Sequence, residues 1–340
     1  MSINHRLLRS AREFYRRLPV PLRWKQHYLL PTIFRLTGGY FRGTGAYQKW
    51  ISERNTPQFD HLADTYYRQL MSNGNLAFKL QDHTPKISII ILSFGQSKYT
   101  LACLQSVSVH TAPAPPFEVL VFDNGSSAEH LERIEKYSSS LCLLRSEENL
   151  GFAKGCNAAA AHARGEYLLF LNNDTLVTPG WLTALLHVMQ AHADAGIVGP
   201  KLMYADGTLQ EAGAKVLQDG HVEQRGKADD AHRPIYNRCE AVPYCTGAAI
   251  LVRRDIFRAV DGFDESYAPA YYEDADLCFK FRQAGYETYY SPDALVIHRE
   301  GGTSQSMWGD SGVAAVVERN RLRFLGKWKG ELQQHAKKSR

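Results

Sequence analysis

Apolar and polar positions along the chain fall into two regimes that meet near residue 85. Beyond it, short apolar runs alternate with stretches of helical period. KISIIILSF (86–94) is apolar and β-branched almost throughout, as a strand covered on both faces would be. TLACLQSVSVH predicts a helix, PPFEVLVFDNGSS a second strand closed by a polar turn, HLERIEKY a helix and LCLLRS a third strand. GFAKGCNAAAAHARG predicts a helix lined with small residues, and EYLLFLN a fourth strand. Strands alternating with helices predict an α/β unit with a mostly parallel central sheet flanked by helices.

After residue 175 the pattern is less regular. AGIVGPKLMY predicts a strand and turn, residues 205–240 a polar loop or hairpin region, and PYCTGAAILVRRDIFRAV a strand then a helix. GFDESYAPAYYEDADLCFKFRQAG runs from loop into helix, YETYYSPDALVIHREGGTS from strand into a Gly-rich segment, and VVERNRLRFLGKW closes as a helix with a basic face.

Residues 1–85 are different. HRLLRSAREFYRRL sets Leu7, Leu8, Ala11, Phe14, Tyr15 and Leu18 along one stripe of a basic amphipathic helix, and LPVP ends it. A second aromatic, basic segment runs from Trp24 to Trp50, broken by glycines at 38, 39, 43 and 45. Met1 to Arg54 carries eleven Lys or Arg against two Glu, in a chain whose formal net charge is only +5. Such an extension can lie on an anionic membrane surface or meet a phosphate-bearing ligand. It can equally cap the main domain. The expected organisation is an extension (1–85), a main domain (86–305, halves 86–175 and 176–305) and a C-terminal helix with a basic tail (306–340).

Composition narrows the class. Of 340 residues, 44% are hydrophobic and 22% charged, which excludes wholesale disorder. Six cysteines form no C-x-x-C pair, so neither a zinc site nor a disulfide framework is indicated, and a reducing, cytoplasmic setting is expected. No apolar run approaches the roughly 18 residues that span a bilayer. No signal-peptide core follows the N-terminus. There is no G-x-G-x-x-G, no G-x-x-x-x-G-K-[ST] and no nucleic-acid-binding motif.

Ligands in open α/β sheets bind beyond the carboxyl ends of the strands. Ser93, Asp123-Asn124 and Asn172-Asn173-Asp174 all stand at such ends. The last group is either a turn capping the helix that follows Thr178, or the corner that holds a diphosphate through Mg²⁺ or Mn²⁺. Glu273, Asp274 and Asp276 either complement a helix dipole or supply a general base, with Tyr271 and Tyr272 as an apolar platform for a sugar. His298, before Gly301 and Gly302, is either structural or completes a metal shell. In ENLGFAKGCN, Gly151, Lys154, Gly155 and Asn157 suit either an anion at a helix start or tight helix–sheet packing.

Taken in order, ISIIILSFG, VLVFDNGSS, ENLGFAKGCN, FLNNDT, TGAAILVRRDIF, GFDESY, YEDADLCFKFRQAGY and the His298 segment resemble the inverting glycosyltransferases of family 2, most of all bacterial rhamnosyltransferase-type members. The resemblance covers about 86–326. It implies a GT-A fold and a dTDP- or UDP-sugar donor, with rhamnose as one sugar. The acceptor it implies is a glycan or lipid-linked glycan, as in O-antigen or other cell-envelope polysaccharide. It implies donor contacts at Ser93, Asp123, Asn149, Gly151, Lys154, Asn157, Asn172 and Asn173. Asp174 and His298 would be metal ligands, Asp274 the base with Glu273 beside it, and Gly247, Asp264 and Tyr272 the acceptor side. Asn172 departs from the family's D-x-D pattern, in which a first carboxylate stands there. The Q-x-x-R-W signature of processive synthases is absent, which implies transfer of one or few sugars. A catalytically silent glycan-binding protein and a sugar nucleotidyltransferase are the alternative readings.

Overall fold

The computed structural model describes residues 18–21, 25, 29–36, 45–76, 78, 84–112, 114–137, 139 and 141–338. The amphipathic helix expected over residues 5–18 lies almost wholly outside them, as does much of the 24–50 segment. In chain order the first helices are α1 (Leu30–Leu36) and α2 (Gly45–Asn73). The first half of the main domain is then β1 (Ile87–Ser93), α3 (Ser97–His110), β2 (Phe117–Asn124), α4 (Ala128–Glu135), β3 (Cys142–Ser146), α5 (Phe152–His162) and β4 (Tyr167–Asn172). The second half adds β5 (Thr175–Val177), α6 (Trp181–Ala191), β6 (Ala195–Met203), β7 (Leu209–Glu211), β8 (Ala214–Val216), β9 (Val222–Gln224), β10 (Glu240–Val242), β11 (Ala249–Arg253), α7 (Arg254–Ala259), α8 (Glu273–Gln283), β12 (Glu287–His298) and α9 (Gly302–Lys338).

The main sheet has the order β10-β12-β6-β11-β4-β1-β2-β3. The four strands of the first half are parallel to one another, and β6 and β12 are parallel. β11 runs against both β4 and β6, so the mostly parallel sheet carries one reversed central strand. β5 pairs with β12 and β7 with β6, both antiparallel, while β8 and β9 form a separate hairpin.

The apolar runs fold as strands because both sheet faces are covered. Ile87, Ile89 and Ile91 belong to a buried cluster with residues of α3 and α6, and Ile90 to one with residues of α5 and α8. All four are at most 1% exposed, and each such side chain contributes about 1.5–3 kcal/mol relative to exposure. Trp181, at the start of α6, is fully buried and donates its indole N–H to Thr111 Oγ1 (3.2 Å). Parallel register aligns the carboxyl ends of the central strands: Leu92 is opposite Asn172 and Ser93 opposite Asp123.

The two long terminal helices pack on this domain. Phe59 and Ala63 of α2 bury against Ala102 of α3 and Leu176 of β5. Asp60 Oδ1 accepts from Tyr99 (2.7 Å) and from Arg299 Nε (3.1 Å), the residue after His298. The basic face expected on the closing helix turns inward onto residues 264–276. Arg319 donates to Ala268 O and Arg323 to Ser266 O. The buried Asn320 amide reaches the carbonyls of Tyr267 (2.6 Å), Ala270 (2.9 Å) and Tyr271 (2.9 Å). α9 changes direction at Gly309 (φ 62°, ψ 173°). None of the described helices is long and apolar enough to cross a membrane.

Candidate active site

A cleft of about 1070 Å³ opens at the carboxyl edge of the sheet. Its wall brings together Asn149, Gly151, Asn172, Asn173, Asp174, Gly247, Tyr272, Glu273, Asp274 and His298, ten of the residues singled out in the sequence. β4 stops at Asn172, and Asn173 and Asp174 form the turn into β5. They do not cap the next helix, whose first turn is preceded by Gly180 with no side-chain cap. Asn173 instead donates to Thr100 Oγ1 (3.0 Å), and Thr100 shares a hydrogen bond with Ser93 (2.9 Å).

Asp174 faces His298. Its Oδ1 lies 3.5 Å from His298 Nε2, because β5 pairs with the end of β12 and sets Thr175 opposite His298. The other ring nitrogen, Nδ1, is 3.0 Å from Gln210 Oε1. Burial alone raises the Asp174 carboxyl, but the His298 ring and Arg299 outweigh it and hold the group below the usual carboxylate range. An anionic oxygen and an imidazole nitrogen facing each other suit a hard divalent ion. Among the described residues no three His, Cys, Asp or Glu side chains gather into a cage. The pair therefore fits an ion that draws its remaining ligands from water and substrate phosphates, as Mg²⁺ commonly does.

Asp274 sits in the first turn of α8, where the helix dipole favours a negative charge. Its Oδ2 accepts from Tyr244 Oη (2.7 Å), Gly247 N (2.8 Å) and, more weakly, Thr246 Oγ1 (3.4 Å). Among the described residues Oδ1 accepts only from Ala275 N (2.8 Å), which leaves it acceptor capacity toward the cleft. Glu273 beside it is 5% exposed, and its Oε2 has no hydrogen-bonding partner among the described residues. Burial, then the neighbouring Asp274, push the Glu273 carboxyl well above the usual range. The two adjacent acids thus occupy opposite environments, one rich in donors and one nearly bare. Tyr271 and Tyr272 precede them with φ of 75° each, a left-handed conformation that costs a non-glycine residue free energy.

The loop before α5 is stapled from β2. Asn124 Oδ1 accepts from Leu150 N (2.9 Å), and its Nδ2 donates to Asn149 Oδ1 (3.1 Å) and Gly151 O (3.2 Å). Gly151 has φ 78°, and a Cβ there would lie 2.9 Å from Pro269 O, so the glycine lets the loop that leads into α8 approach.

Five residues expected at the donor or acceptor lie off the cleft wall. Ser93 is fully buried in the Thr100 hydrogen bond. Asp123 is fully buried too; Oδ2 accepts from Ser126 N (3.2 Å) and Oδ1 has no partner. Lys154 is exposed on α5 outside the cleft. Asn157 is occupied by Phe263, donating to its carbonyl (2.9 Å) and accepting from its N–H (2.9 Å). Asp264 is held by Ser266 N (3.0 Å) and Lys327 (2.8 Å). Asp276, the third acid of the triplet, is likewise structural. Gly155 serves helix–sheet packing, since a Cβ there would meet Leu92 Cδ1 at 2.6 Å.

Further residues come to the site from far along the chain. Tyr244 and Thr246 reach Asp274 from 28 or more positions away, and Gln210 reaches His298 across 88. The outer wall comes from the terminal helices: Lys49, Ser52 and Glu53 of α2, and Trp308, Val313 and Val317 of α9. Lys49 pairs with Asp310 (2.6 Å), joining the two helices at the mouth.

The profile of glycosyl transferase family 2 matches residues 88–261, just over half of the chain. The uncharacterized protein y4gI of Sinorhizobium fredii is 33% identical over 260 residues, 71% of this chain and 28% of its own length. The O-antigen biosynthesis protein RfbC of Myxococcus xanthus is 29% identical over 240 residues, 66% of this chain and 18% of its own. This chain thus spans under a third of those two relatives. The N-acetylglucosaminyl-diphospho-decaprenol L-rhamnosyltransferase of Mycobacterium tuberculosis is 27% identical over 241 residues, 64% of this chain and 77% of its own. In structure, GalNAc-T7 with UDP, GalNAc and Mn²⁺ superposes with a TM-score of 0.53 at 17% identity, covering 63% of this chain and 43% of that one, a likeness of fold. The chain has the GT-A fold and belongs to glycosyl transferase family 2.

Proposed function

We propose that the chain transfers a single sugar, with inversion, from a nucleoside-diphosphate sugar to a hydroxyl of a glycan or lipid-linked glycan acceptor. The observation that carries this reading is the convergence on one cleft of the Asp174–His298 pair and of Asp274 with its three donors on Oδ2. Asp274 Oδ1 takes the proton of the acceptor hydroxyl. The oxygen forms its bond to the anomeric carbon from the face opposite the diphosphate. The carbon–oxygen bond to the diphosphate breaks, and its electron pair leaves with the nucleoside diphosphate. Tyr244, Thr246 and Gly247 hold Oδ2 fixed, and a protonated Glu273 adds no second negative charge beside the base. Asp174 and His298 would hold a divalent ion, Mg²⁺ or Mn²⁺, which when bound offsets the charge developing on the departing diphosphate.

Asn149, Gly151, Asn172 and Asn173 are the donor-side residues of this reading, and Gly247 and Tyr272 stand on the acceptor side. One relative is named for O-antigen biosynthesis and another as an N-acetylglucosaminyl-diphospho-decaprenol L-rhamnosyltransferase, which supports a surface polysaccharide acceptor and rhamnose as a candidate sugar. The basic residues before Arg54 support peripheral contact with the cytoplasmic face of an anionic membrane.

The test is a panel of dTDP-rhamnose, UDP-N-acetylglucosamine, UDP-galactose and GDP-mannose, each with Mn²⁺, by thermal shift and then by turnover. One nucleotide class should stabilise the protein by about 2.7 kcal/mol at a hundredfold excess over Kd. Absence of both stabilisation and sugar release across the panel would contradict the reading.

A further inference from the structure

Gln210 is fully buried, yet it is not part of the regular ladder that holds β7 on β6. Leu202 pairs with Glu211 and Met203 with Leu209, so Gln210 is the extra residue of a β-bulge. Bulges beside active sites re-aim a side chain. This one sends the Gln210 amide between two groups. Its oxygen lies 3.0 Å from His298 Nδ1, and the amide also sits beside Tyr204. The Tyr204 hydroxyl is itself committed to Glu300 Oε2 (2.5 Å).

An amide oxygen only accepts, so the hydrogen of this contact belongs to the imidazole Nδ1. A neutral imidazole carries one ring hydrogen. The Nε2 to Asp174 Oδ1 separation of 3.5 Å is longer than the usual 2.7–3.2 Å of an N–H···O bond. Nε2 is then the ring nitrogen left to ligate a metal beside Asp174 Oδ1. Without the Gln210 oxygen, the negative Asp174 would draw the ring hydrogen to Nε2 and cover the face a metal needs.

We infer that Gln210 is the positioning residue that fixes the His298 tautomer, keeping Nε2 bare toward Asp174. This rests on the reading of Asp174 and His298 as the metal pair. Partners behind a ligating histidine commonly change metal affinity by about 10–100-fold.

The experiment uses the full chain with ¹⁵N-labelled histidine, His298 being assigned by loss of its signals in His298→Ala. Two quantities are read: which ring nitrogen of His298 carries the hydrogen, and uptake of Mn²⁺ in the presence of UDP by electron paramagnetic resonance. The wild type should carry the hydrogen on Nδ1. Gln210→Met should move it toward Nε2 and weaken Mn²⁺ uptake about 10–100-fold, and Gln210→Glu, which keeps an acceptor, should retain the wild-type tautomer. A wild-type ring with its hydrogen on Nε2 overturns the inference, and this holds even if the Met variant fails to fold. So does a Gln210→Met protein unchanged in both quantities while Asp174→Ala and His298→Ala lose Mn²⁺. If those two variants bind Mn²⁺ as well as wild type, it is the metal pair that fails, and the inference falls with it.

Discussion

Trp328 donates its indole N–H to Asp276 Oδ1 at 2.7 Å, and by this bond the C-terminal helix grips the helix that carries Asp274. Asp276 is fully buried and takes two further donors, Lys327 (2.9 Å) and Tyr267 Oη (3.2 Å). Both Trp328 and Lys327 lie beyond the family-matched segment. The C-terminal helix therefore holds α8 in place.

Lys327→Met should be strongly destabilising, because it leaves a buried carboxylate without its counter-charge. The expected loss is about 3 kcal/mol in urea unfolding. Lys49→Ala breaks an ion pair whose side chains are 56% and 66% exposed, and should cost less than about 1 kcal/mol. Equal costs for the two variants would contradict the assignment of Asp276 as a buried anchor.

Glu211 gives a pH signature. It is 1% exposed, its Oε1 accepts from Thr246 N (3.0 Å), and burial pushes its carboxyl up to about 7 from the usual 4.5. Between those values the folded chain keeps a proton that the unfolded chain has released. The folded state binds more protons there, so stability falls as pH rises through the window. The contribution is fully present below about 4.5 and lost above about 7. Glu273 adds a slope of the same sign, so the comparison must be with Glu211→Gln. Urea midpoints measured from pH 4.5 to 8 should fall more steeply for wild type than for that variant. Parallel curves would show that Glu211 does not hold the proton.

The first half of the fold was legible because strands buried on both faces leave uninterrupted apolar runs. Their ends were legible as a site because parallel register places Ser93, Asp123 and Asn172 on one edge. Asp274 and Asp276 looked equivalent. Two residues apart on a helix they point about 200° from each other, so one faces the cleft and the other Trp328. Asn157 and Asp264 stand in stretches that resemble the family, but their hydrogen bonds go to the 263–266 turn and to Lys327. Gln210, Glu211 and Tyr244 carried no local signal, since short strands and long-range contacts bring them to the site. The outer wall was not legible either, because the helices that form it show nothing in sequence of what they cover.

Asp174→Ala should weaken Mn²⁺-dependent binding of UDP by at least about tenfold while leaving the fold intact, since Asp174 anchors no long-range side-chain network beyond His298. Isothermal titration with and without a chelator reads this directly. The chelator should reduce wild-type binding to the level of the variant. Chelator-insensitive binding in wild type would remove the metal from the account.

Asp274→Asn tests whether Asp274 takes the acceptor proton. The amide keeps the size of the side chain and removes the base. With the nucleotide sugar selected by the panel, sugar transfer should fall by about 10²–10⁴-fold, while binding of the corresponding nucleoside diphosphate changes by less than about threefold. Transfer by Asp274→Asn within a few-fold of wild type would contradict the account.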